Sequence, residues 1–443
     1  MDIKISESFG YKKLIRFTMP SIVMMIFTSI YGVVDGFFVS NYAGKTAFAA
    51  VNFIMPYLMI LGAIGFMFGA GGSAIIAKTM GEGDYPRANR YFSFLIYCSL
   101  VISILIAIGG IFLLRPVAAL FGARGAMLES CVTYGRIILF ALPAFILQME
   151  FQSFFITAEK PSLGLAMTLI AGFANILLDF LLVGVFSFGL VGAAVATAVS
   201  QLIGGFAPLL YFALPNKSSL RLSKTEFNLP VLIKTFTNGS SELMSNISMS
   251  LVGMLYNVQL LKYAGENGVA AYGVMMYINM IFIAVFIGFS VGSAPIVSYH
   301  FGAGNKDELK SLLRKSSSII AFSSVVMLIS ALALSKPLSV LFVGYDAELT
   351  SFTSHGFYIF SISFLFCGFA IFGSSFFTAL NDGITSAIIS FMRTLVFQVL
   401  AVILLPLAFG INGIWLSIVI AEASAAGLLL FFILKKKKKY GYL

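Results

Sequence analysis

The sequence predicts an all-α polytopic membrane protein: twelve transmembrane helices in two parallel six-helix repeats, related by a pseudo-two-fold axis along the membrane normal. Three observations lead there. Of the 443 residues, 59% are hydrophobic and only 10% charged, whereas soluble domains carry ~25% charged residues. A water-soluble globular fold is therefore excluded, and the 46 Phe, 18 Tyr and 19 Met exclude a disordered chain. Apolar runs recur along the chain, each meeting the ~20 residues that a helix needs to cross the hydrocarbon core. Finally, the second half repeats the first at one constant offset.

The elements follow in order. MDIKISESFGYKKLIRF lacks the apolar core and small-residue cleavage site of a signal peptide, so the first run, 14–39, is a retained helix. Runs at 47–77, 91–114, 130–156, 162–186 and 189–214 come next, each bounded by charge or by Gly and Pro clusters. A polar stretch, 215–230, then links the halves through Asn216, Lys217, Ser218, Arg221 and Lys224. The second set covers 231–260, 268–299, 313–334, 351–378, 383–407 and 411–434, and ends at the lysine run Lys435 to Lys439. A transmembrane barrel would show alternating segments of ~10 residues; these runs are continuous and longer. The expected organisation is a lobe over 1–214, a linker over 215–230, a second lobe over 231–434 and a basic tail over 435–443.

The repeat is the most informative feature. Tyr42-Ala43-Gly44 recurs as Tyr263-Ala264-Gly265, Gly81 and Gly83 as Gly302 and Gly304, and Pro116 with Leu120-Phe121 as Pro337 with Leu341-Phe342. Thr157-Ala158 matches Thr378-Ala379, and Gly189 with Gly192 matches Gly410 with Gly413. Every pair is 221 residues apart. Six helices per half is an even number, so both halves share one orientation. Parallel repeats of this kind suggest a transporter with a site between its lobes.

Charge sets the topology. Of 28 basic residues, 21 fall at the N-terminus, in the even-numbered loops and in the tail; six fall on the other side and Arg393 lies inside a helix. The positive-inside rule places both termini in the cytoplasm, and the plasma membrane of a prokaryote is the expected location. The net charge of +10 thus reads as topology and not as a nucleic-acid surface. The lysine run reads as a stop signal at the inner leaflet, with lipid recognition as the alternative. Cys98, Cys131 and Cys367 are too scattered for a disulfide framework, and with His300 and His355 they form no metal or catalytic motif. No GxxxxGK[ST] loop is present, so no nucleotide cofactor is expected. A channel would need a filter or charged ring, and neither is visible.

Ionisable residues in the membrane cost ~2.5–3.5 kcal/mol each by insertion scales, so each needs a reason. They are Asp35, Glu150, Asp179, Glu242, Arg393 and Glu422. Asn175 precedes Asp179 by four residues and shares its helix face. Asp179 and Thr197 lie equally far from the turn near Phe188, hence ~13 Å below it, and Asp35 lies at similar depth. Two acids, an amide and a hydroxyl with no base nearby compose a cation site. Arg393 and Glu422 flank the turn near Ala408 at matching distances and are expected to pair.

Val34-Asp35-Gly36-Phe37-Phe38-Val39-Ser40, then Asn175, Asp179 and Thr197, together with Thr157-Ala158-Glu159-Lys160-Pro161, resemble the multidrug and toxic compound extrusion (MATE) transporters, of the DinF- or MepA-like kind within the MOP flippase superfamily. The resemblance spans the whole chain. It implies export of cationic, lipophilic compounds in exchange for H⁺ or Na⁺, no enzymatic activity, and no cofactor beyond the coupling ion. It also implies a helix-1 hinge at Pro20, for which the residues alone equally allow a harmless proline in the helix's first turn. Gln148 and Gln152, one helical turn apart, match positions that face the family's drug cavity; Thr28 and Gln201 are further candidates. The chain departs from members that use acids in helices 7 and 10: Phe364 to Phe369 holds none, and Glu242 comes early in helix 7. Within the repeat, Asp35 corresponds to Tyr256 and Asp179 to Leu400, so coupling is expected in the N-terminal lobe. A lipid-linked oligosaccharide flippase is the alternative, although it would need several deep basic residues for a pyrophosphate. A membrane enzyme or receptor is the remaining class. The expected partners are drug-like molecules and membrane lipid. The oligomeric state is open, with a monomer expected.

Overall fold

The computed structural model describes residues 3–442, apart from the side chain of Lys45. Lys45, counted above among the basic residues opposite the termini, therefore lies outside the described side chains; Met1, Asp2 and Leu443, at the ends of the first lobe and the tail, lie outside the described residues. The described chain is helical almost throughout, because a backbone in hydrocarbon must satisfy its own hydrogen bonds. The first half comprises α1 (Tyr11–Ala43), α2 (Lys45–Gly81), α3 (Tyr85–Leu120), α4 (Gly125–Thr157), α5 (Pro161–Val185) and α6 (Gly189–Ala213). Hydrogen bonding then runs without a gap from Leu229 to Gly302. Those 74 residues would span ~110 Å as one rod, far beyond a ~30 Å core. Gly265 divides them, with φ 60° and ψ −150°, into α7 (229–264) and α8 (266–302). Gly44, its repeat partner, makes the same break between α1 and α2 at φ 93° and ψ 166°. Only glycine takes these angles without strain.

The remaining helices are α9 (Lys306–Val343), α10 (Ala347–Ser361 and Phe364–Ala379, bent by 48°), α11 (Gly383–Phe409) and α12 (Ile411–Tyr440). Among the described residues twelve helices thus coincide with the twelve apolar runs. The helices outlast the runs, however, because caps and not hydropathy end them. Asp84 accepts from the Arg87 N–H at 2.9 Å and starts α3, and Asn305 accepts from the Glu308 N–H at 3.0 Å and starts α9.

Two boundaries differ from the sequence expectation. The irregular link covers 214–228, not 215–230, because Asn228 caps α7 through the Val231 N–H and Pro230 fits its first turn. The link is pinned along α3: Arg221 N donates to Asn89 Oδ1 at 2.7 Å and Ser223 N to Ser93 Oγ at 2.8 Å. The lysine run is also more than a stop signal, since α12 continues through it to Tyr440. Lys436 pairs with Asp382 at 2.5 Å and Tyr440 donates to the same carboxylate at 2.8 Å. Burial alone would push the Asp382 carboxyl up; the bonds from Lys436, Tyr440 and Thr385 outweigh it and hold it below the usual carboxylate range.

Within the first lobe α4 packs against α2, α3 and α6, and in the second α10 packs against α8, α9 and α12. The two lobes meet on the face that carries both termini. There Gly81 of α2 lies against the Tyr299 carbonyl, and Gly302 of α8 against the Lys78 carbonyl; a Cβ on either glycine would sit 2.0 Å from that oxygen. The two contacts are repeat images of each other. One level deeper Gly239 lies against Met67, and Gly288, at the repeat position of Met67, lies against Ser21 and Ile22. Small residues let the backbones approach this closely. These crossings reach ~21 Å inward from the terminal face.

Candidate functional site

Three helices bring the predicted polar residues together in the half of the first lobe away from the termini. Thr197 of α6 donates to Asp35 Oδ1 of α1 at 3.4 Å. Asp179 and Asn175 of α5 face the same Asp35 carboxyl. Asn175 and Asp179 are buried, at 1% and 0% exposure, and neither amide atom of Asn175 nor either carboxylate oxygen of Asp179 has a hydrogen-bond partner among the described residues. Buried polar groups are almost always paired. Four unpartnered atoms beside a second carboxylate therefore describe a donor set arranged for something other than itself. Its hard oxygens suit a proton or Na⁺, and the two carboxylates cannot both remain ionised there without a cation. No group of three or more His, Cys, Asp or Glu suited to a transition metal exists among the described residues.

Local backbone geometry contributes. Asp179 opens a π-helical segment, Asp179–Val185, and α1 closes in another, Val39–Ala43, four residues beyond Asp35. The extra residue per turn frees carbonyls and re-aims the side chains that follow. Sequence reasoning missed Tyr134 of α4, which is 1% exposed and faces Asp35, Thr197 and Asp179. Its depth was the available signal: it sits nine residues from the far end of α4, ~13 Å, level with the acids.

The second lobe is wired differently. Tyr256, at the place of Asp35, donates to Gln398 at 2.7 Å and stacks on Tyr272 at 5.3 Å, which fills that position with self-satisfied groups. Arg393 Nε donates to Glu422 Oε2 at 2.8 Å, so these two deep charges pair across α11 and α12. Glu242 of α7 lies within electrostatic reach of the same guanidinium. Arg393 too sits in a π-helical segment, Met392–Val396. Glu150 stands apart from both clusters. It is fully buried in α4, its Oε2 accepts from Ser99 at 2.6 Å, and its Oε1 has no partner.

The residues proposed for substrate contact do not converge. Gln148 and Gln152 do share a face and line one small cavity with Phe151, Phe155 and Met167. That cavity measures about 10 Å³, room for one water. Gln201 is buried with an unpartnered Oε1. The Thr28 hydroxyl bonds back to the Met24 carbonyl at 2.9 Å. Pro20 is the tenth residue of α1, not a first-turn proline, and α1 runs unbroken through it. The Arg16 carbonyl accordingly lacks the N–H it would receive from position 20.

Comparison with known proteins agrees with this architecture. The sequence model of the MatE family matches residues 20–181 and again 243–404, once in each half. The Multidrug export protein MepA of Staphylococcus saprophyticus is 24% identical over 95% of this chain and 92% of its own length. The protein of the same name from Staphylococcus aureus strain MRSA252 is 25% identical over 94% and 92%. A solved outward-facing conformation of a multidrug resistance MATE family transporter of the MOP superfamily superposes with a TM-score of 0.93 at 21% identity, covering 99% of this chain and 98% of that one.

Proposed function

The chain belongs to the MatE family, and from that premise we propose that it is a secondary active multidrug exporter, moving cationic, lipophilic compounds in exchange for H⁺ or Na⁺. It is a transporter and not an enzyme. The observation that carries the reading is the buried pair Asn175 and Asp179, whose side-chain atoms have no partner among the described residues, set beside the half-buried, hydrogen-bonded pair Asp35 and Thr197. A cation captured there neutralises the pair and changes how α1 packs on α5 and α6. Pro20, where α1 lacks one backbone hydrogen bond, is the hinge we assign to that response. Gln148, Gln152, Thr28 and Gln201 are proposed to line the drug route in another state of the lobe, since drug-sized ligands need ~300 Å³ or more. The flippase alternative finds less support, because Arg393, its deepest cation, is already engaged by Glu422.

We further propose that the terminal face lies in the cytoplasm of a prokaryotic cell, following the basic residues gathered there. Single cysteines at 122 and 344 should then react with an impermeant label added outside cells, and cysteines at 83 and 304 should not. The reverse pattern would invert the direction of transport. Function itself is tested in proteoliposomes loaded with a fluorescent organic cation. An imposed pH or Na⁺ gradient should drive dye flux that its collapse stops; flux indifferent to both gradients would remove the reading.

A further inference from the structure

A cleft of about 490 Å³ opens on the terminal face where the lobes meet, between α2, α3, the start of α7 and the α10–α11 loop. Its walls come from both lobes. Lys78, Thr79 and Arg87 belong to the first; Asn228, Lys234 and Asn381 belong to the link and the second. Its charge is unbalanced. Glu82 is the acid in its wall, and Lys78 already pairs with it at 3.0 Å. Lys234 donates to the Asn381 carbonyl at 2.7 Å, which leaves its charge uncompensated. Lys78 and Lys439 crowd that ammonium, and the acid that attracts it, Asp382, is itself held by Lys436 and Tyr440. Arg87 donates through Nε to Tyr91 at 2.6 Å; Glu82 and Asp84 lie within electrostatic reach of its guanidinium, but neither takes a hydrogen bond from it among the described residues. The first turn of α7, which carries no acidic residue, starts in the same wall and adds the positive end of its dipole.

We propose that this cleft binds a phosphate-bearing anion, supplied by the headgroup of an anionic phospholipid, and that the bound anion fastens the two lobes together on this face. The cleft lies on the terminal face beside the Lys78–Gly302 and Gly81–Tyr299 crossings, where the topology proposed above puts the headgroups of the inner leaflet, so a phosphate held by Arg87 and Lys234 bridges the surfaces that must part if the face opens. Basic pockets between helices at a membrane surface recognise such headgroups. A ligand that needs both lobes in contact favours that state by its difference in affinity for the two. The inference stands on this geometry and goes beyond the transport reading, which supplies only the leaflet.

The test is a lipid titration of the purified full chain by native mass spectrometry, with phosphatidylglycerol and phosphatidylcholine as probes and inorganic phosphate as competitor. Wild type should bind phosphatidylglycerol in preference to phosphatidylcholine. Each cation removed should cost about fivefold in affinity, so the Arg87→Gln/Lys234→Gln double variant should lose about 25-fold. Lys234→Arg, which keeps the charge, should retain binding. Competition by inorganic phosphate would support phosphate recognition; saturation by inorganic phosphate without a lipid preference would overturn the lipid as its source. Spin labels at 83 and 304 should draw together on adding phosphatidylglycerol to wild type and stay unmoved in the double variant. Equal binding of both lipids, or undiminished phosphatidylglycerol binding by a folded double variant, overturns the proposal. Because these readouts need no substrate, they fail or succeed independently of drug transport.

Discussion

Asp35→Asn and Asp179→Asn should each abolish gradient-driven efflux while leaving the protein inserted and folded. Asparagine keeps the size and most of the hydrogen bonding of aspartate but cannot ionise, so it freezes its position in the neutral form. Asp179 is fully buried and its two oxygens have no partner. Folding therefore gains nothing from its charge, and an amide there is tolerated. Transport loses everything, because a site that cannot gain and lose a cation cannot transmit the gradient to the lobes. Linkage gives a sharper requirement. If cation and drug favour different states, raising H⁺ or Na⁺ must weaken drug binding, by ~5–150-fold for a typical coupling free energy of 1–3 kcal/mol. In either variant that dependence should flatten, because the two carboxylates act as one titrating unit. The measurement is dye affinity of purified protein at two pH values and two Na⁺ concentrations, alongside flux. A variant that exports normally under a gradient would show the site to be misassigned, and Glu242 or Glu150 would become the next candidate.

Depth was the part of this site legible in sequence. Counting residues from a turn locates a side chain along a transmembrane helix, since the rise is fixed, and the same arithmetic places Asp35, Asp179 and Thr197 level with one another. The constant offset of 221 likewise translates into paired structural events: glycine breaks at Gly44 and Gly265, and mirrored backbone crossings at Gly81 and Gly302. Which residues share a face within one helix was legible, as for Gln148 and Gln152; which way that face turns relative to neighbouring helices was not. The π-helical segments at Asp179 and Arg393 shift the facing of the residues that follow, and nothing in the local composition marks them. Tyr134 was missed for the same reason: its level was computable, its facing was not. Helix ends were misjudged because hydropathy detects the hydrocarbon core, whereas Asp84, Asn228 and Asn305 set the ends by capping outside it. The role of Lys436 depends on a loop acid, Asp382, 54 residues away, and a run of lysines alone does not indicate such a partner.

The charge pair of the second lobe gives the largest expected effect on stability. Arg393 and Glu422 have side chains only 14% and 5% exposed and bond at 2.8 Å. Removing one member leaves the other as an isolated charge in low dielectric, a loss of ~3–5 kcal/mol for a buried pair. Removing both as Arg393→Leu/Glu422→Leu exchanges an ion pair for apolar packing, which is often neutral. The singles should therefore melt well below wild type and express poorly, and the double should recover most of the loss. Glu242 makes the two singles unequal. In Glu422→Leu the guanidinium still faces Glu242, whose charge reaches it; in Arg393→Leu two carboxylates are left near each other without a cation. Arg393→Leu should accordingly be the more damaging single, and adding Glu242→Gln to it should restore part of the stability. Thermal unfolding of the purified variants, read with their membrane expression, checks the order. A double variant no better than its singles would mean that the pair does not act as a unit. Equal singles would mean that Glu242 is held apart from Arg393 by water or by motion of α7.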